Sequence, residues 1–144
     1  MLDCPFCNWE SSTKIRPENI RFCVNPEAPT GVQSVNLLGD VKKAGFYVAR
    51  FKLPEFTQQP AHTHPDDRTY TVISGTMFSG VGDKFDSQKL LELPPGSFYN
   101  MPKDMPHFSW TKLGEVIMQV TGNGPSGFTY CDPADDPRNQ KPSP

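Results

Sequence analysis

The sequence lacks the features of a membrane protein and of a nucleic-acid-binding protein. Its longest apolar stretches are a few residues, such as Val116-Ile117-Met118, whereas a bilayer-spanning helix needs about 20. It contains 14 Lys and Arg against 16 Asp and Glu, a formal net charge of −2, and it has no polybasic run. This balance argues against a surface dedicated to nucleic acid or anionic lipid. We therefore expect neither partner.

Cysteine is scarce, and the first ten residues, MLDCPFCNWE, lack the basic start and apolar run of a secretory signal. We accordingly expect a cytoplasmic protein. Cys4 and Cys7 form a CxxC, while Cys23 and Cys131 stand apart. A zinc ribbon needs a second CxxC, and a redox CxxC usually opens a helix after a strand. Reduced cysteines are the simplest interpretation, with two disulfides or a structural zinc site as open alternatives.

Long helical patterns are also missing, and the 11 Gly and 16 Pro are scattered along the chain. Such a composition suits short strands joined by tight turns. A short helical turn is predicted near residues 86–92, where Asp86 can act as N-cap and Pro94-Pro95 prevents continuation. The pattern predicts an all-β sandwich or jelly roll, with strands over residues 32–38, 44–53, 68–74, 76–81, 97–101, 107–111 and 115–121.

The length of 144 residues suits one domain with one core. Residues 1–30 show no sustained period and are predicted to form an arm packed on the barrel. The barrel itself is expected over residues 31–137. Residues 138–144 are polar and proline-rich, and we expect a flexible tail there.

The three histidines of the chain form the most informative pattern. His62 and His64 are two residues apart in the extended segment QQPAHTHP, so strand alternation points both rings to one face. His107 lies in another strand candidate, MPHFSW, and inward positions of two strands can converge inside a barrel. Three imidazoles on one ion leave coordination positions open for water, substrate or dioxygen. Histidines that are merely hydrogen-bonded in a core are the alternative.

Two longer stretches strengthen the metal interpretation. HTHPDDRTYTVISG, from His62 to Gly75, resembles the first cupin motif, and GSFYNMPKDMPH, from Gly96 to His107, resembles the second. The order of the motifs also matches. The resemblance implies a cupin or jelly-roll β-barrel of two antiparallel sheets. It also implies one divalent metal ion, iron or else zinc, nickel, manganese or copper, held by the three histidines.

The chain departs from the cupin pattern at the fourth ligand. The glutamate of the first motif is replaced by Arg68, whose guanidinium offers donors only and cannot ligate a metal. Three interpretations stay open. The three histidines hold the metal while Arg68 clamps a substrate carboxylate; Arg68 turns away to pair with Asp66 or Asp67; or the pocket is metal-free and a histidine acts as general base.

Further residues are predicted to share the interior with the histidines, or else simply to pack in the core. Strand parity, in the absence of a bulge, points several of them inward. Tyr70 and Tyr99 would offer hydroxyl groups in an apolar cavity, and Gln119 is an amide within an otherwise apolar strand. We expect Tyr70 to join Arg68 in catalysis and the rest to line the substrate pocket: Gln58, Tyr99, Met105, Ser109 and Gln119.

The cupin fold hosts many reactions, so the expected function rests on the site. The open coordination positions favour a metal-dependent oxygenase that acts on a small organic substrate, and the Arg68 clamp would favour one with a carboxylate. The alternatives are a metal-independent lyase, isomerase or dehydratase, and a non-catalytic ligand-binding or sensor module. A homodimer is expected from the resemblance alone.

Overall fold

The computed structural model describes residues 12–140. Its eleven strands form two antiparallel sheets that face each other. The six-stranded sheet has the order β1-β2-β3-β10-β5-β8, and the five-stranded sheet has the order β11-β4-β9-β6-β7. The bounds are β1 Cys23–Val24, β2 Gln33–Leu38, β3 Gly45–Leu53, β4 Gln58–Thr63, β5 Arg68–Ser74, β6 Met77–Val81, β7 Leu91–Leu93, β8 Phe98–Met101, β9 His107–Trp110, β10 Val116–Gly124 and β11 Thr129–Tyr130.

The core lies between the two sheets because apolar residues alternate along the strands. On β3, buried residues alternate with half-buried ones from Tyr47 to Leu53. On β10, which pairs with both β3 and β5, the same alternation runs from Val116 to Val120. Side chains of successive residues point to opposite faces of a strand, so one apolar set from each strand meets inside. The predicted all-β jelly roll is confirmed.

The short helical turn predicted near residues 86–92 is confirmed, within narrower bounds. Asp86 does cap the segment, with its carboxylate accepting a 2.9 Å hydrogen bond from the backbone N–H of Gln88. The helix, however, is a single 3-10 turn over Ser87–Lys89, and β7 follows at once. Residues of β7 pair with β6, and these ladder hydrogen bonds replace those that a second helical turn would make.

Both ends of the described chain are joined to the barrel. Part of the predicted arm forms β1, an edge strand paired with β2. Arg138, the first residue of the predicted tail, donates to the carbonyl oxygen of Phe128 at 2.8 Å and contacts Glu27 Oε1 at 3.1 Å. Cys23 and Cys131 are both exposed and are not joined to each other. The predictions for Cys4 and Cys7 lie outside the described residues.

No helix within residues 12–140 has the length and apolarity required to cross a membrane.

The glycines of the two cupin-like motifs both have left-handed backbone, but their surroundings differ. Gly75 has φ +74, and a Cβ there would lie 2.1 Å from the Glu115 carbonyl oxygen. Gly96 has φ +89, and a Cβ there would meet nothing within 4 Å. An alanine at either position would adopt a left-handed backbone that costs about 1–2 kcal/mol. Only at position 75 would its Cβ also push against the backbone of Glu115.

We therefore expect Gly75→Ala to lower the free energy of unfolding clearly more than Gly96→Ala does. Urea denaturation of the two variants beside the wild type measures the difference. Equal losses would show that the contact with Glu115 relaxes without cost.

Candidate metal centre

Three histidine side chains meet inside the barrel. His62 lies on β4 directly opposite His107, the first residue of β9, and His64 follows the end of β4. Their ring centroids are 4.3 to 5.0 Å apart, and one nitrogen from each ring lies within 4.8 Å of the others. All three are at most 5% exposed. The predicted convergence of the three histidines is confirmed.

Each ring is oriented by a hydrogen bond from Nδ1 to a backbone carbonyl oxygen. His62 Nδ1 lies 2.7 Å from the Pro60 oxygen, and His107 Nδ1 lies 3.0 Å from the Met105 oxygen. His64 Nδ1 lies 2.7 Å from the Gly127 oxygen. A carbonyl oxygen can only accept, so Nδ1 carries the proton and Nε2 keeps its lone pair. This is the arrangement found behind metal-binding histidines, where the second nitrogen fixes the ring.

Burial keeps the three imidazoles neutral. Desolvation lowers the pKa of His62 to about 3 and the pKa of His107 to about 4, and it lowers the pKa of His64 well below 6.5. The positive guanidinium of Arg68 lowers all three further. Neutral imidazole is the form that ligates a metal. Three such nitrogens fit a divalent ion of the iron-to-zinc group, with positions left for other ligands.

The segment between β10 and β11 covers the histidines, and sequence reasoning missed it. Phe128 stacks on the His62 ring at 5.0 Å and meets the His64 ring edge-on at 4.8 Å. The preceding residue, Gly127, supplies the carbonyl that orients His64. No pattern in the sequence points to this contact, because it joins residues more than 60 positions apart. The segment excludes solvent from one side of the site.

Arg68 lies inside the barrel in a buried polar network. Its Nη2 is 3.5 Å from Asp66 Oδ1 and also donates to the Ser126 hydroxyl. Asp66 accepts further hydrogen bonds from Ser126 Oγ at 2.6 Å and from the Tyr47 hydroxyl at 2.5 Å. The pairing with Asp66 that one interpretation foresaw is present, yet Arg68 remains in the cavity. Its Nε is buried and has no hydrogen-bond partner, and so could serve a ligand.

The cavity around the histidines contains several of the predicted pocket residues. Arg68, Tyr70, Tyr99 and Ser109 all line it. The rings of Tyr70 and Tyr99 stack with their centroids 4.5 Å apart and an interplanar angle of 7°. Burial raises the pKa of both hydroxyls. Residues that the sequence analysis did not select also line it: Phe51, Gln59, Ser79, Met118 and Phe128.

Gln58 does not reach the cavity, which corrects the prediction. It is exposed, whereas its neighbour Gln59 is 5% exposed and accepts a 2.5 Å hydrogen bond from the Ser109 hydroxyl. The register between β4 and β9 shifts between Gln59 and His62. A bulge of this kind reverses which side chains face inward.

Met105 and Gln119 also lie elsewhere. Met105 is 36% exposed in the turn before β9, and only its carbonyl oxygen touches the site, through His107. On β10 the inward residues are the even-numbered ones, so Met118 lines the cavity. Gln119 lies on the opposite face and accepts a 3.0 Å hydrogen bond from Arg50 Nε. An amide in an apolar strand is thus satisfied on the outer face.

No protein-family model matches the sequence, and the comparison with curated proteins finds no match. Solved structures do match. The polyketide cyclase RemF from Streptomyces resistomycificus has a TM-score of 0.66 at 18% identity, over 88% of this chain and 89% of its own. The DMSP lyase DddQ from Ruegeria pomeroyi DSS-3 has a TM-score of 0.58 at 17% identity, over 72% of this chain and 56% of its own. A cupin 2 conserved barrel domain protein from Leptotrichia buccalis has a TM-score of 0.54 at 19% identity, over 67% of this chain and 42% of its own.

The chain spans about half the length of the DMSP lyase structures that it matches, 47% of one and 56% of the other. At these identities the likeness concerns the fold. The chain has the cupin fold that its two motifs predicted, and that fold holds a cluster of three histidines that could bind a divalent metal ion.

Proposed function

We propose that this cupin-fold chain is a small metalloenzyme that acts on a small organic anion, most specifically as an oxygenase. The observation that carries the proposal is the set of three buried imidazoles, each oriented through Nδ1 by a backbone carbonyl so that Nε2 is left for a metal. A closed structural site would need a fourth protein ligand. Arg68, at the position of that ligand, cannot supply one.

The metal would be held by His62, His64 and His107. When bound, it would supply a Lewis-acid centre with open positions for substrate and, as iron, for dioxygen. We propose iron, with zinc, nickel, manganese and copper as the other ions that the nitrogen set accepts. Nearby Phe128 and the core side chains exclude bulk water from the site.

Arg68 is proposed to position the anionic end of the substrate. Its guanidinium is buried, lines the same cavity as the histidines, and has an unpartnered Nε. A charge-assisted hydrogen bond to a carboxylate would satisfy that donor. Asp66 and Ser126 hold the other end of the guanidinium, so the group is fixed before substrate arrives. Tyr70, whose hydroxyl is 3.5 Å from Arg68 Nη1, is placed to donate to the same substrate group.

A non-oxidative lyase or cyclase is the second candidate. The buried hydroxyls of Tyr70 and Tyr99 favour it because they place proton donors in the cavity. The solved structures with this fold include proteins named as lyases and as a cyclase, which supports the same candidate. A sensor that only holds a ligand is the third.

Oxygen uptake distinguishes these functions. Apoprotein is loaded with Fe²⁺ under anaerobic conditions and then mixed with air-saturated buffer that contains one member of a panel of small carboxylates. It should consume dioxygen when that carboxylate is a substrate. The product should then contain ¹⁸O when ¹⁸O₂ is supplied. Zinc-loaded protein serves as the control, because zinc has no redox chemistry. If the ferrous protein takes up no dioxygen while the zinc form converts a substrate, the oxygenase proposal is contradicted and the lyase proposal is supported.

A further inference from the structure

The cavity around the histidines is narrow and largely buried in the described structure. His62, His64, His107 and Arg68 are at most 5% exposed. The free volume among the lining side chains is about 10 Å³, room for about one water molecule. A substrate larger than water must therefore displace part of the wall.

One wall is fastened by hydrogen bonds. Phe51, Arg68 and Phe128 separate the cavity from an outer pocket of about 190 Å³. The Arg68 guanidinium is held by Ser126 and Asp66, and the Phe128 carbonyl accepts from Arg138 at 2.8 Å. Opening this wall would break several buried polar contacts at once.

A second wall is held by neutral contacts, whereas the first contains the buried ion pair of Arg68 and Asp66. Ser79 and Tyr99 line both the cavity and an outer groove with a free volume of about 370 Å³. The Tyr99 hydroxyl contacts two neutral groups, the Met118 sulfur at 3.8 Å and the Ser79 hydroxyl, and the Tyr99 ring stacks on Tyr70. The groove lies where β7 and β8, the edge strands of different sheets, are not paired with each other. The Tyr99 side chain can therefore swing out of the wall while β8 stays paired with β5, with loss of its stacking on Tyr70.

The outer groove is apolar although it is open to solvent. Val81 is 56% exposed, Leu91 is 67% exposed and Phe98 is 65% exposed. Leu93 and Met101 extend the same lining, and Lys89 stands among these residues as a cation. Exposed apolar side chains gathered in one concavity are typical of a binding site.

We propose that the outer groove is the ligand entrance and that it binds the apolar body of an elongated anion whose charged end reaches Arg68. Tyr99 is the gate between the groove and the histidine cavity. The inference rests on the proposed small-molecule function of that cavity. It adds the substrate class: an amphiphilic carboxylate, such as an aliphatic or aromatic acid, rather than a small polar acid.

Binding of acetate, hexanoate and octanoate to the zinc-loaded protein tests the proposal, with calorimetry as the readout. Affinity should rise along the series by about tenfold or more, since each added methylene can leave water. Leu91→Glu should remove that gain and leave acetate binding unchanged. Leu113→Glu is the matched control, because Leu113 is equally exposed at 67% and does not line the groove.

Several outcomes would contradict the proposal that the outer groove binds the ligand. Affinity that does not rise with chain length would do so, and so would equal octanoate binding by Leu91→Glu and Leu113→Glu. A change in oligomeric state in Leu91→Glu, with octanoate binding intact, would assign the groove to a second copy of the chain. Octanoate binding that is lost in Leu91→Glu but kept in Arg68→Gln would support the groove and contradict the carboxylate clamp. The two proposals can thus fail separately.

The gate has a kinetic readout. Tyr99→Ala should raise the association rate of octanoate in stopped-flow measurements, and Tyr99→Trp should lower it, because the side chain blocks the passage. Association rates that are the same in both variants and in the wild type would exclude Tyr99 as the gate.

Discussion

His107→Ala should abolish metal binding under conditions in which the wild type binds an ion. The variant removes one of three nitrogens that lie within 4.8 Å of one another, and two imidazoles then remain. Loss of an outer hydrogen bond to a metal ligand already weakens metal binding by about 10- to 100-fold. Loss of the ligand itself should lower the affinity by at least about a hundredfold. Metal analysis after dialysis, and competition with a chelator of known affinity, measure the change.

Ser109→Ala is the matched control for this result. Ser109 lies two residues along the same strand, lines the same cavity and is buried, but its hydroxyl binds Gln59. It should keep the metal. Thermal unfolding of the two apoproteins shows whether either substitution damages the barrel. A His107→Ala protein that folds and still binds metal as tightly as the wild type would contradict the three-histidine site.

The sequence predicts the barrel well because its signal is local. β5 begins at Arg68 and ends at Ser74 as expected, and the other predicted strands differ by a few residues at their ends. Alternation and turn residues are properties of neighbouring positions. β1 and β11 were missed because they are two residues long and form only through pairing with β2 and β4. Such short strands have no pattern of their own.

The candidate site was predicted in part for the same reason. The His62 and His64 pair is local, and the two motifs place His107 beside it. The choice between Gln58 and Gln59 depends on a bulge in the pairing of β4 with β9, which no single strand reveals. Gln119 was misplaced because an amide can be satisfied outside the barrel as well as inside, and Arg50 decides this from another strand.

The environment of Arg68 could be predicted only in part, because the sequence offered Asp66 as a partner but gave no sign of Tyr47 or Ser126. Tyr47 and Ser126 reach Asp66 from positions 19 and 60 residues away. Both hydroxyls donate hydrogen bonds to the Asp66 carboxylate and so replace water around it. The Asp66 carboxylate in turn balances the positive charge of Arg68. The change from the glutamate of the cupin motif to arginine is therefore accompanied by a buried counter-charge two residues earlier. This observation joins the clamp and the ion-pair interpretations, since Arg68 both pairs with Asp66 and lines the cavity.

Arg68→Gln should consequently destabilise the barrel strongly. Both partners of the pair have side chains that are 4% exposed, and removing one partner of a buried ion pair costs about 3–5 kcal/mol because the other charge stays buried. Glutamine is preferable to glutamate here, since a glutamate would place a second carboxylate beside Asp66. Arg50→Gln, which removes a half-buried arginine bonded to the neutral Gln119, should cost much less. Urea denaturation of the apoproteins measures both.

The double variant Asp66→Asn with Arg68→Gln decides why the first change is costly. If Arg68 matters through its pair with Asp66, the double variant should lose clearly less stability than the sum of the two single variants, because no lone charge remains. If the losses simply add, the two groups act independently, and the stability of Arg68→Gln reflects packing. The double variant should in either case bind carboxylates more weakly, since the anion loses the only cationic side chain in the cavity lining among the described residues. Stability and anion binding thus separate the two roles of one arginine.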